Sequence, residues 1–212
     1  MKKRVKRQSD RNKVHSAGGS LRIIGGDFRG RKLPVLMADG LRPTSDRVRE
    51  TLFNWLQFDI AGADCLDVFA GSGALGLEAL SRGAKAVFFL ELNKENAQQI
   101  KKNLTTLNVS DSNVIQTDSL QWLKQIPPKV FDVFFLDPPF HQGLMQPAVD
   151  LIFQNHYVKN SQAWLYLEQE KSLDWPRFPD GWICHREKTT AEVKYGVFKF
   201  EQTAGSDRAF QD

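Results

Sequence analysis

The sequence D-V-F-A-G-S-G-A-L-G-L-E, Asp67–Glu78, joins an apolar run to a glycine-rich turn and indicates the type of fold. It contains G-S-G-A-L-G, which matches the G-x-G-x-x-G pattern of dinucleotide-binding turns between a strand and a helix. Gly71 and Gly73 allow the backbone to approach a ligand where a Cβ atom would collide. Glu91 ends the next apolar run, 20 residues after Gly71, where an acid accepts hydrogen bonds from ribose hydroxyls. The pattern suits NAD and equally suits the adenosine of S-adenosylmethionine.

From residue 63 onward, short apolar runs alternate with helix patterns. Strands are predicted for C-L-D-V-F-A, A-V-F-F-L-E, N-V-I-Q-T-D, V-F-D-V-F-F-L-D and A-W-L-Y-L-E. Helices are predicted from the glycine turn through Leu80, from Asn93 to Leu107, around Leu120–Ile126 and near Leu144–Phe153. Apolar strands separated by helices indicate a doubly wound α/β fold, whose parallel sheet is covered on both faces. The final pair, W-I-C-H-R-E-K and V-K-Y-G-V-F-K-F, has only a short connection and predicts a closing antiparallel hairpin.

The first 60 residues predict an extension that precedes this sheet. Two short apolar segments within Leu21–Val35 flank Gly25-Gly26-Asp27, which is a hairpin pattern. Ser45 is a suitable N-cap for an amphipathic helix. That helix would have an apolar face formed by Val48, Leu52, Phe53, Trp55 and Leu56. Residues 1–20 carry few large apolar side chains, so we expect them to be disordered.

Positive charge is concentrated at the amino terminus. Residues 1–49 contain 14 Lys and Arg against 4 Asp and Glu, whereas residues 50–212 contain 15 against 21. A basic segment on a mildly acidic body is typical of a protein that binds a polyanion such as nucleic acid. For residues 1–20, a solvated tail that aids solubility is an equal alternative. The candidates for phosphate contacts are Arg22, Arg29, Arg31, Lys32, Arg47 and Arg49.

Composition disfavours several other classes of protein. No apolar run approaches the roughly 18 residues of a membrane-spanning helix, and the amino terminus lacks the apolar stretch of a secretory signal. Cys65 and Cys184 are isolated, which favours a reducing compartment. The four histidines show no metal-ligand spacing. We therefore expect a cytoplasmic monomer that holds no metal.

Two carboxylates favour S-adenosylmethionine over NAD. Asp67 lies within a predicted strand, four residues before Gly71. An acid at the carboxyl edge of the sheet can face the cationic sulfonium and amino group of this cofactor, but it would repel a pyrophosphate. Asp118 ends another strand and is followed by Ser119. An acceptor there can bond the adenine amine, although Asp118 can also cap the following helix.

The tetrapeptide Asp137–Phe140, D-P-P-F, follows the fourth strand of the sheet directly. Loops at the carboxyl ends of strands line the ligand crevice of a doubly wound sheet. The carboxylate of Asp137 and the carbonyl of Pro138 can accept from an exocyclic NH₂, and Phe140 can stack on the base that carries it. The pattern matches the [D/N]-P-P-[F/Y/W] motif of methyltransferases that modify amino nitrogens. The catalytic candidates are Asp137, Pro138, Pro139 and Phe140.

Such an amine is a weak nucleophile because its lone pair is delocalised into the ring. Acceptors that hold both N–H bonds favour the pyramidal geometry in which the lone pair can attack, and they stabilise the nitrogen as it becomes positive in the transition state. A base that carries the amine must usually leave its stack to enter a pocket. The motif alone does not choose among adenine, cytosine and guanine.

The chain resembles the bacterial family that makes N2-methylguanine in small-subunit (16S) ribosomal RNA, the D-type methyltransferases. The matching segments are R-I-I-G-G-D-F-R-G-R-K-L-P-V, L-R-P-T-S-D-R-V-R-E-T-L-F-N-W-L, C-L-D-V-F-A-G-S-G-A-L-G-L-E-A-L-S-R-G-A, D-P-P-F and H-R-E-K. The resemblance covers residues 21 to 200. It implies a Rossmann-like, seven-stranded methyltransferase sheet, S-adenosylmethionine as cofactor, and a guanine target within a partly or fully assembled small subunit. It also implies that Arg42-Pro43-Thr44 lies beside the methionine end of the cofactor.

The expected site and domains follow from these motifs and from the resemblance. We expect cofactor contacts from Arg42, Pro43, Thr44, Asp67, Phe69, Ala70, Gly71, Gly73, Glu91, Leu92, Asp118 and Ser119. The expected domains are a basic tail (1–20), a hairpin and helix extension that contacts RNA (21–60), a methyltransferase domain (61–203) and a polar tail (204–212).

Three other functions stay open on the sequence alone. A DNA adenine or cytosine amino methyltransferase would share the pocket chemistry, although the sequence shows no additional target-recognition domain. A nicotinamide-dependent oxidoreductase would explain the glycine turn but not D-P-P-F or Asp67. A non-catalytic ribosome-assembly factor could retain the motifs without the activity.

Overall fold

The computed structural model describes residues 19–36 and 45–201. Its strands are β1 (Gly19–Arg22), β2 (Lys32–Val35), β3 (Asp64–Asp67), β4 (Ala86–Glu91), β5 (Asn113–Gln116), β6 (Val133–Leu136), β7 (Trp164–Glu170), β8 (Trp182–Thr189) and β9 (Val193–Phe200). Its helices are α1 (Asp46–Trp55), α2 (Ala74–Ser81), α3 (Lys94–Leu107), α4 (Ser119–Leu123) and α5 (Met145–Gln154). The predicted polar tail, most of the basic tail and the segment Arg42-Pro43-Thr44 lie outside the described residues.

The main sheet has seven strands in the order β5-β4-β3-β6-β7-β9-β8. The strands β5, β4, β3, β6 and β7 pair in parallel, and β9 pairs antiparallel with both β7 and β8. The predicted doubly wound α/β fold and its closing hairpin are therefore confirmed. The strand order reverses between β3 and β6, and this switch point is where such sheets bind ligands.

Helices cover both faces of the sheet, as the apolar strands predict. The helices α1, α2 and α3 share one buried cluster with the amino-terminal hairpin, and α4 and α5 pack in a second cluster on the other face. All four residues of β6 are buried, which explains why its sequence is a continuous apolar run rather than an alternating one. The strand β3 is also buried, although it begins and ends with an aspartate, Asp64 and Asp67. Within the described ranges, every helix is too short or too polar to cross a bilayer.

The ends of the elements follow local sequence signals. The side chain of Ser45 accepts a hydrogen bond from the Val48 N–H at 3.3 Å, which confirms the predicted cap of α1. The strands β3 and β5 end earlier than predicted because the residues that follow turn into the loops at the carboxyl edge. The strand β6 begins later than predicted, since Phe131 forms an isolated bridge with Val158.

The amino-terminal hairpin is confirmed, with β1 antiparallel to β2. The strand begins at Gly19, so the predicted boundary of the disordered tail at residue 20 is too late. Gly19 pairs with Val35 and Ser20 pairs with Pro34, and pairing of backbone groups requires no large apolar side chain. The hairpin buries Leu21, Ile23, Leu33 and Val35 in the same cluster as α1 and α2.

Backbone groups fix this hairpin to α2. The N–H groups of Ile24 and Gly25 each donate to the carboxylate of Glu78 at 2.8 Å. The N–H of Asp27 donates to the carbonyl of Ser81 at 2.7 Å. The extension is therefore held against the helix that follows the glycine turn.

Replacing Gly26 with alanine should disturb this docking more than the same change at Gly30. Both residues have positive φ, +73° and +82°, so each alanine incurs a similar strain of about 1–2 kcal/mol. A Cβ atom at Gly26 would lie 1.7 Å from the carbonyl oxygen of Ser81, whereas one at Gly30 meets nothing within 4 Å. We expect Gly26→Ala to lower the free energy of unfolding in urea by at least about 1 kcal/mol more than Gly30→Ala. Equal losses in the two variants would contradict the docking.

Candidate active site

A cavity of about 1010 Å³ opens at the carboxyl ends of the parallel strands. The loops after β3, β4, β5 and β6 supply much of its wall. Of the predicted site residues, the wall contains Asp67, Phe69, Ala70, Gly71, Glu91, Leu92, Asp118, Ser119, Asp137, Pro138, Pro139 and Phe140. The two halves of the predicted site, the glycine turn and the D-P-P-F turn, thus belong to one cavity.

The glycines of the turn have different roles. Gly71 and Gly73 both have positive φ, +54° and +79°, which favours glycine at each position. Gly71 lines the cavity, but Gly73 does not. Gly73 instead caps α2, and a Cβ atom there would lie 3.0 Å from the side chain of Ile100. At Gly76 a Cβ atom would lie 2.2 Å from the ring of Phe89, so this glycine allows α2 to approach the sheet.

Asp67 is a desolvated carboxylate in the cavity wall. It is 2% exposed, and its Oδ2 accepts a hydrogen bond from the Gly76 N–H at 3.1 Å. Burial raises the pKa of Asp67 to about 7, the bond from Gly76 lowers it, and the charge of Glu91 raises it. A cation beside Asp67 would favour the ionised carboxylate, so this position suits a sulfonium or an ammonium group.

Glu91, the last residue of β4, connects this strand to the glycine turn through hydrogen bonds. Its Oε2 accepts from the Gly71 N–H at 2.6 Å, and its Oε1 accepts from the Asn93 N–H at 2.7 Å. Burial raises the pKa of Glu91, and these two backbone bonds together with a hydrogen bond from the Asn96 side chain lower it. A carboxylate can accept about four hydrogen bonds, so Glu91 can also accept one from a ligand hydroxyl. Leu92 follows it in the wall and is 66% exposed, which provides an apolar surface for a flat ring.

Asp118 and Ser119 lie in the loop after β5 and at the start of α4, and they connect this loop to the rest of the site. The side chain of Asp118 accepts from the Gln121 N–H at 2.9 Å, so its predicted capping of α4 is confirmed. The hydroxyl of Ser119 donates to the carbonyl of Val68. An acceptor role of Asp118 toward adenine stays compatible with this cap, because a carboxylate can accept several hydrogen bonds.

The D-P-P-F turn is fixed to the neighbouring strand. Asp137 leaves β6 directly, and Phe140 packs against the buried cluster that contains α1. The next residue, His141, has a φ of +61°, and its N–H donates to Glu170 of β7 at 2.6 Å. The turn therefore presents Asp137 and Phe140 to the cavity from a defined backbone position.

Glu168 is a wall residue that the sequence motifs did not predict. It lies on β7, is 6% exposed, and lines the cavity together with the D-P-P-F turn. A signal for it exists in the sequence: an acid ends the apolar run A-W-L-Y-L-E just as Glu91 ends A-V-F-F-L-E. Ser45, Val48, Thr190 and Val193 also line the cavity.

The charge of the cavity selects among cofactors. Among the described residues that line it, Lys94 is the single basic side chain. Its acidic residues are Asp67, Glu91, Asp118, Asp137 and Glu168. This excess of carboxylates suits a cationic cofactor and disfavours the pyrophosphate of the nicotinamide alternative. Residues 19–36 and 45–201 contain no group of three or more His, Cys, Asp or Glu arranged to hold a metal ion.

The candidates for phosphate contacts divide into two groups. Arg22, Arg29, Arg31, Lys32 and Arg47 are exposed. Arg49 is only 1% exposed, so its predicted contact with phosphate is wrong. Its guanidinium bonds the carboxylate of Asp46 at 2.6 Å and the carbonyl of Arg22 at 2.9 Å, and it lies 3.7 Å from Glu78. Arg49 therefore holds the hairpin and α1 together.

This fold and cavity define the class of S-adenosylmethionine-dependent methyltransferases. The family model described as "Conserved hypothetical protein 95" matches residues 21–199. Ribosomal RNA small subunit methyltransferase D of Haemophilus influenzae is 53% identical over 188 residues, which are 87% of this chain and 96% of that relative. The Escherichia coli protein of the same name is 45% identical over 193 residues, which are 91% of this chain and 96% of that relative. The chain belongs to the ribosomal RNA small subunit methyltransferase D family, as the resemblance predicts.

Solved structures agree with this assignment. The protein yhhF of Escherichia coli has a TM-score of 0.80 at 43% identity, over 86% of this chain and 99% of that chain. HI0767 of Haemophilus influenzae has a TM-score of 0.75 at 49% identity, over 87% of this chain and 100% of that chain. SMU.776, solved in complex with SAH, shares the fold with a TM-score of 0.63 at 15% identity, over 80% of this chain and 54% of that chain.

The raised pKa of Asp67 predicts a pH dependence of stability that Asp67→Asn should remove. Burial raises the pKa of Asp67 from an ordinary 3.8 to about 7 in the folded protein, so the folded state binds this proton more tightly and loses stability as pH rises from about 4 to 7. Without ligand, this group should cost the wild type about 2–3 kcal/mol of unfolding free energy between pH 5 and pH 8, and Asp67→Asn should not show this loss. The stability of the variant minus that of the wild type therefore increases with pH. Asn can still accept the bond from Gly76. Asp111→Asn, at an exposed position, is the control, and parallel pH profiles of wild type and Asp67→Asn would contradict the expectation.

Proposed function

We propose that this chain transfers the methyl group of S-adenosylmethionine to the N2 amine of a guanine in small-subunit (16S) ribosomal RNA. The observation that carries the proposal is that Asp137–Phe140 and the glycine turn at Gly71 line one cavity. Relatives at 45% and 53% identity are named as methyltransferases of small-subunit ribosomal RNA, which supports the same polymer as substrate here. We also infer that the substrate is a partly or fully assembled small subunit, and that the chain acts as a monomer in the cytoplasm.

The described cavity residues fit S-adenosylmethionine at three places. Asp67 would face its positive charge, Glu91 would accept hydrogen bonds from the ribose hydroxyls, and Asp118 would accept one from the adenine amine. Leu92 would offer its exposed side chain to the adenine ring. The cofactor supplies a methyl group that is activated by its attachment to a positively charged sulfur.

The D-P-P-F turn would act on the amine of the target base. Asp137 and the carbonyl of Pro138 accept hydrogen bonds from the two N–H groups of the amine, which directs the nitrogen lone pair out of the ring plane. As the nitrogen gains positive charge, the carboxylate of Asp137 stabilises it more than the neutral ground state. The carboxylate then accepts the proton that the nitrogen gives up, directly or through water. Phe140 stacks on the base and holds it in place.

The basic hairpin would hold the RNA beside this cavity. A small cavity of about 60 Å³ is lined by Arg22 and Ser72, and Ser72 also lines the large cavity. Arg22, at the end of β1, therefore places one exposed positive charge close to the wall of the large cavity at Ser72. Phosphate contacts there would balance part of the cost of removing a base from its stack.

Replacing Asp137 with alanine should abolish most of the activity without loss of the cofactor. We expect kcat to fall by about 100- to 1000-fold, while the affinity for S-adenosylmethionine stays within about twofold of the wild type. The assay uses labelled cofactor and small subunits from cells that lack the protein, and mass spectrometry of the digested RNA identifies N2-methylguanosine. Asp111→Ala is the control for loss of an exposed carboxylate. A wild-type rate in Asp137→Ala, or labelling of DNA but not of ribosomal RNA, would contradict the proposal.

The exposed hairpin cations should control the salt dependence of RNA binding. Replacing Arg29, Arg31 and Lys32 with alanine should flatten the slope of log K against log salt by about 0.7–0.9 for each phosphate that the variant no longer neutralises. Lys124→Ala is the control, because this exposed lysine follows α4 on the opposite face of the sheet. An unchanged slope in the hairpin variant would show that the RNA binds elsewhere.

A further inference from the structure

We propose that Glu168 selects guanine by accepting a hydrogen bond from the N1–H of the target base, while Asp137 and Pro138 hold its N2 amine. The inference rests on the proposed function and adds to it the residue that chooses among bases. Such a residue is needed because the D-P-P-F turn can accept hydrogen bonds from the exocyclic amine of adenine, cytosine or guanine alike.

The pairing of β6 with β7 brings the two carboxylates together. Leu136 is in register with Leu167, so Asp137 and Glu168 are the next residues along two strands that lie about 4.8 Å apart. Both residues line the large cavity. Burial raises the pKa of Tyr166, and the charges of Glu168 and Asp137 both add to this rise. The Tyr166 hydroxyl is thus close enough to both carboxylates for each charge to affect its pKa, which agrees with their placement side by side.

Neighbouring side chains hold Glu168 in one orientation. The Tyr166 hydroxyl donates to Oε2 of Glu168 at 2.7 Å. On the other side, Glu168 is in register with Tyr195 of β9, and Trp55 of α1 stacks on Tyr195 with ring centroids 5.6 Å apart. A carboxylate oriented in this way can recognise a substrate group without the entropic cost of ordering a free side chain.

The hydrogen-bonding edge of guanine matches two adjacent carboxylates. Guanine presents a ring N–H next to its exocyclic amine, so it offers two neighbouring donor groups. Adenine and cytosine present a ring nitrogen lone pair next to their amine, and an ionised carboxylate repels that lone pair. A site built to bond a substrate N–H strongly rejects an analogue that lacks it, because the acceptor atom that faces this N–H then gains no hydrogen bond from the substrate. Glu168 therefore supplies the selection that Asp137 cannot.

The test compares guanine with 2-aminopurine at the target position. 2-Aminopurine keeps the exocyclic 2-amine but has a lone pair on N1. Small subunits are reconstituted with 16S RNA that carries either base at the methylated position, and kcat/KM is measured for wild type and Glu168→Gln. The wild type should prefer guanine by at least about 100-fold. Glu168→Gln should lower kcat/KM for guanine by at least about 10-fold and should reduce the preference by at least about 10-fold, because its amide can donate to the N1 lone pair.

Two controls separate recognition from a structural role. Glu187→Gln changes an exposed carboxylate of β8 outside the cavity and should leave the base preference intact. Tyr166→Phe removes the hydroxyl that orients Glu168, so it should lower kcat/KM for guanine about 10-fold while the affinity for S-adenosylmethionine stays unchanged. If Glu168→Gln is too unstable to assay, Tyr166→Phe decides, and unchanged guanine kinetics in that variant would overturn the proposal.

The outcomes also separate this inference from the proposed function. A wild-type protein that methylates no guanine in the small subunit contradicts the proposed function itself. A wild-type protein that methylates guanine and 2-aminopurine equally well overturns only the role of N1–H. A Glu168→Gln variant that retains the rate and the base preference of the wild type overturns the role of Glu168.

Discussion

The parallel pairing of β3 with β6 is the constraint on which the site depends. Asp67 is in register with Phe135, and the N–H of Val68 continues the ladder by donating to the carbonyl of Phe135 at 2.9 Å. Because parallel strands end at the same edge of a sheet, the loops that follow them must face each other. The glycine turn follows β3 and the D-P-P-F turn follows β6. A cofactor site and an amine site, distant in sequence, thereby share one cavity.

Buried carboxylates are the second requirement, and the fold stabilises them with backbone donors. Removing such groups from water is costly unless hydrogen bonds compensate. Glu91 receives two backbone N–H bonds and Asp67 receives one. These bonds orient the carboxylates before a ligand arrives, so that a cation or a hydroxyl meets acceptors already in place. The raised pKa of Asp67 shows that the compensation is incomplete, and a positively charged ligand would supply the remainder.

Much of the fold and of the site could be predicted from sequence because the signals are local. Continuous apolar runs predicted the parallel strands, and the glycine and D-P-P-F turns lie at the ends predicted for them. The burial of Arg49 was missed because its partner Glu78 lies far away in the sequence, on another helix. Helical spacing did offer a signal, since Arg49 lies three and four residues before the apolar Leu52 and Phe53 and so shares their face of α1. Glu168 was missed because its significance arises only when β7 pairs beside β6. Long-range pairing is the information that a local pattern lacks.

A crystal structure with S-adenosylhomocysteine and a guanine nucleoside would show whether the cofactor site and the amine site share one cavity. We expect the adenosine between Glu91 and Asp118, the amino acid end beside Asp67, and the sulfur directed toward a guanine amine held by Asp137 and Pro138. A sulfur directed away from Asp137–Phe140, or a guanine bound outside the cavity that contains Gly71, would contradict this arrangement.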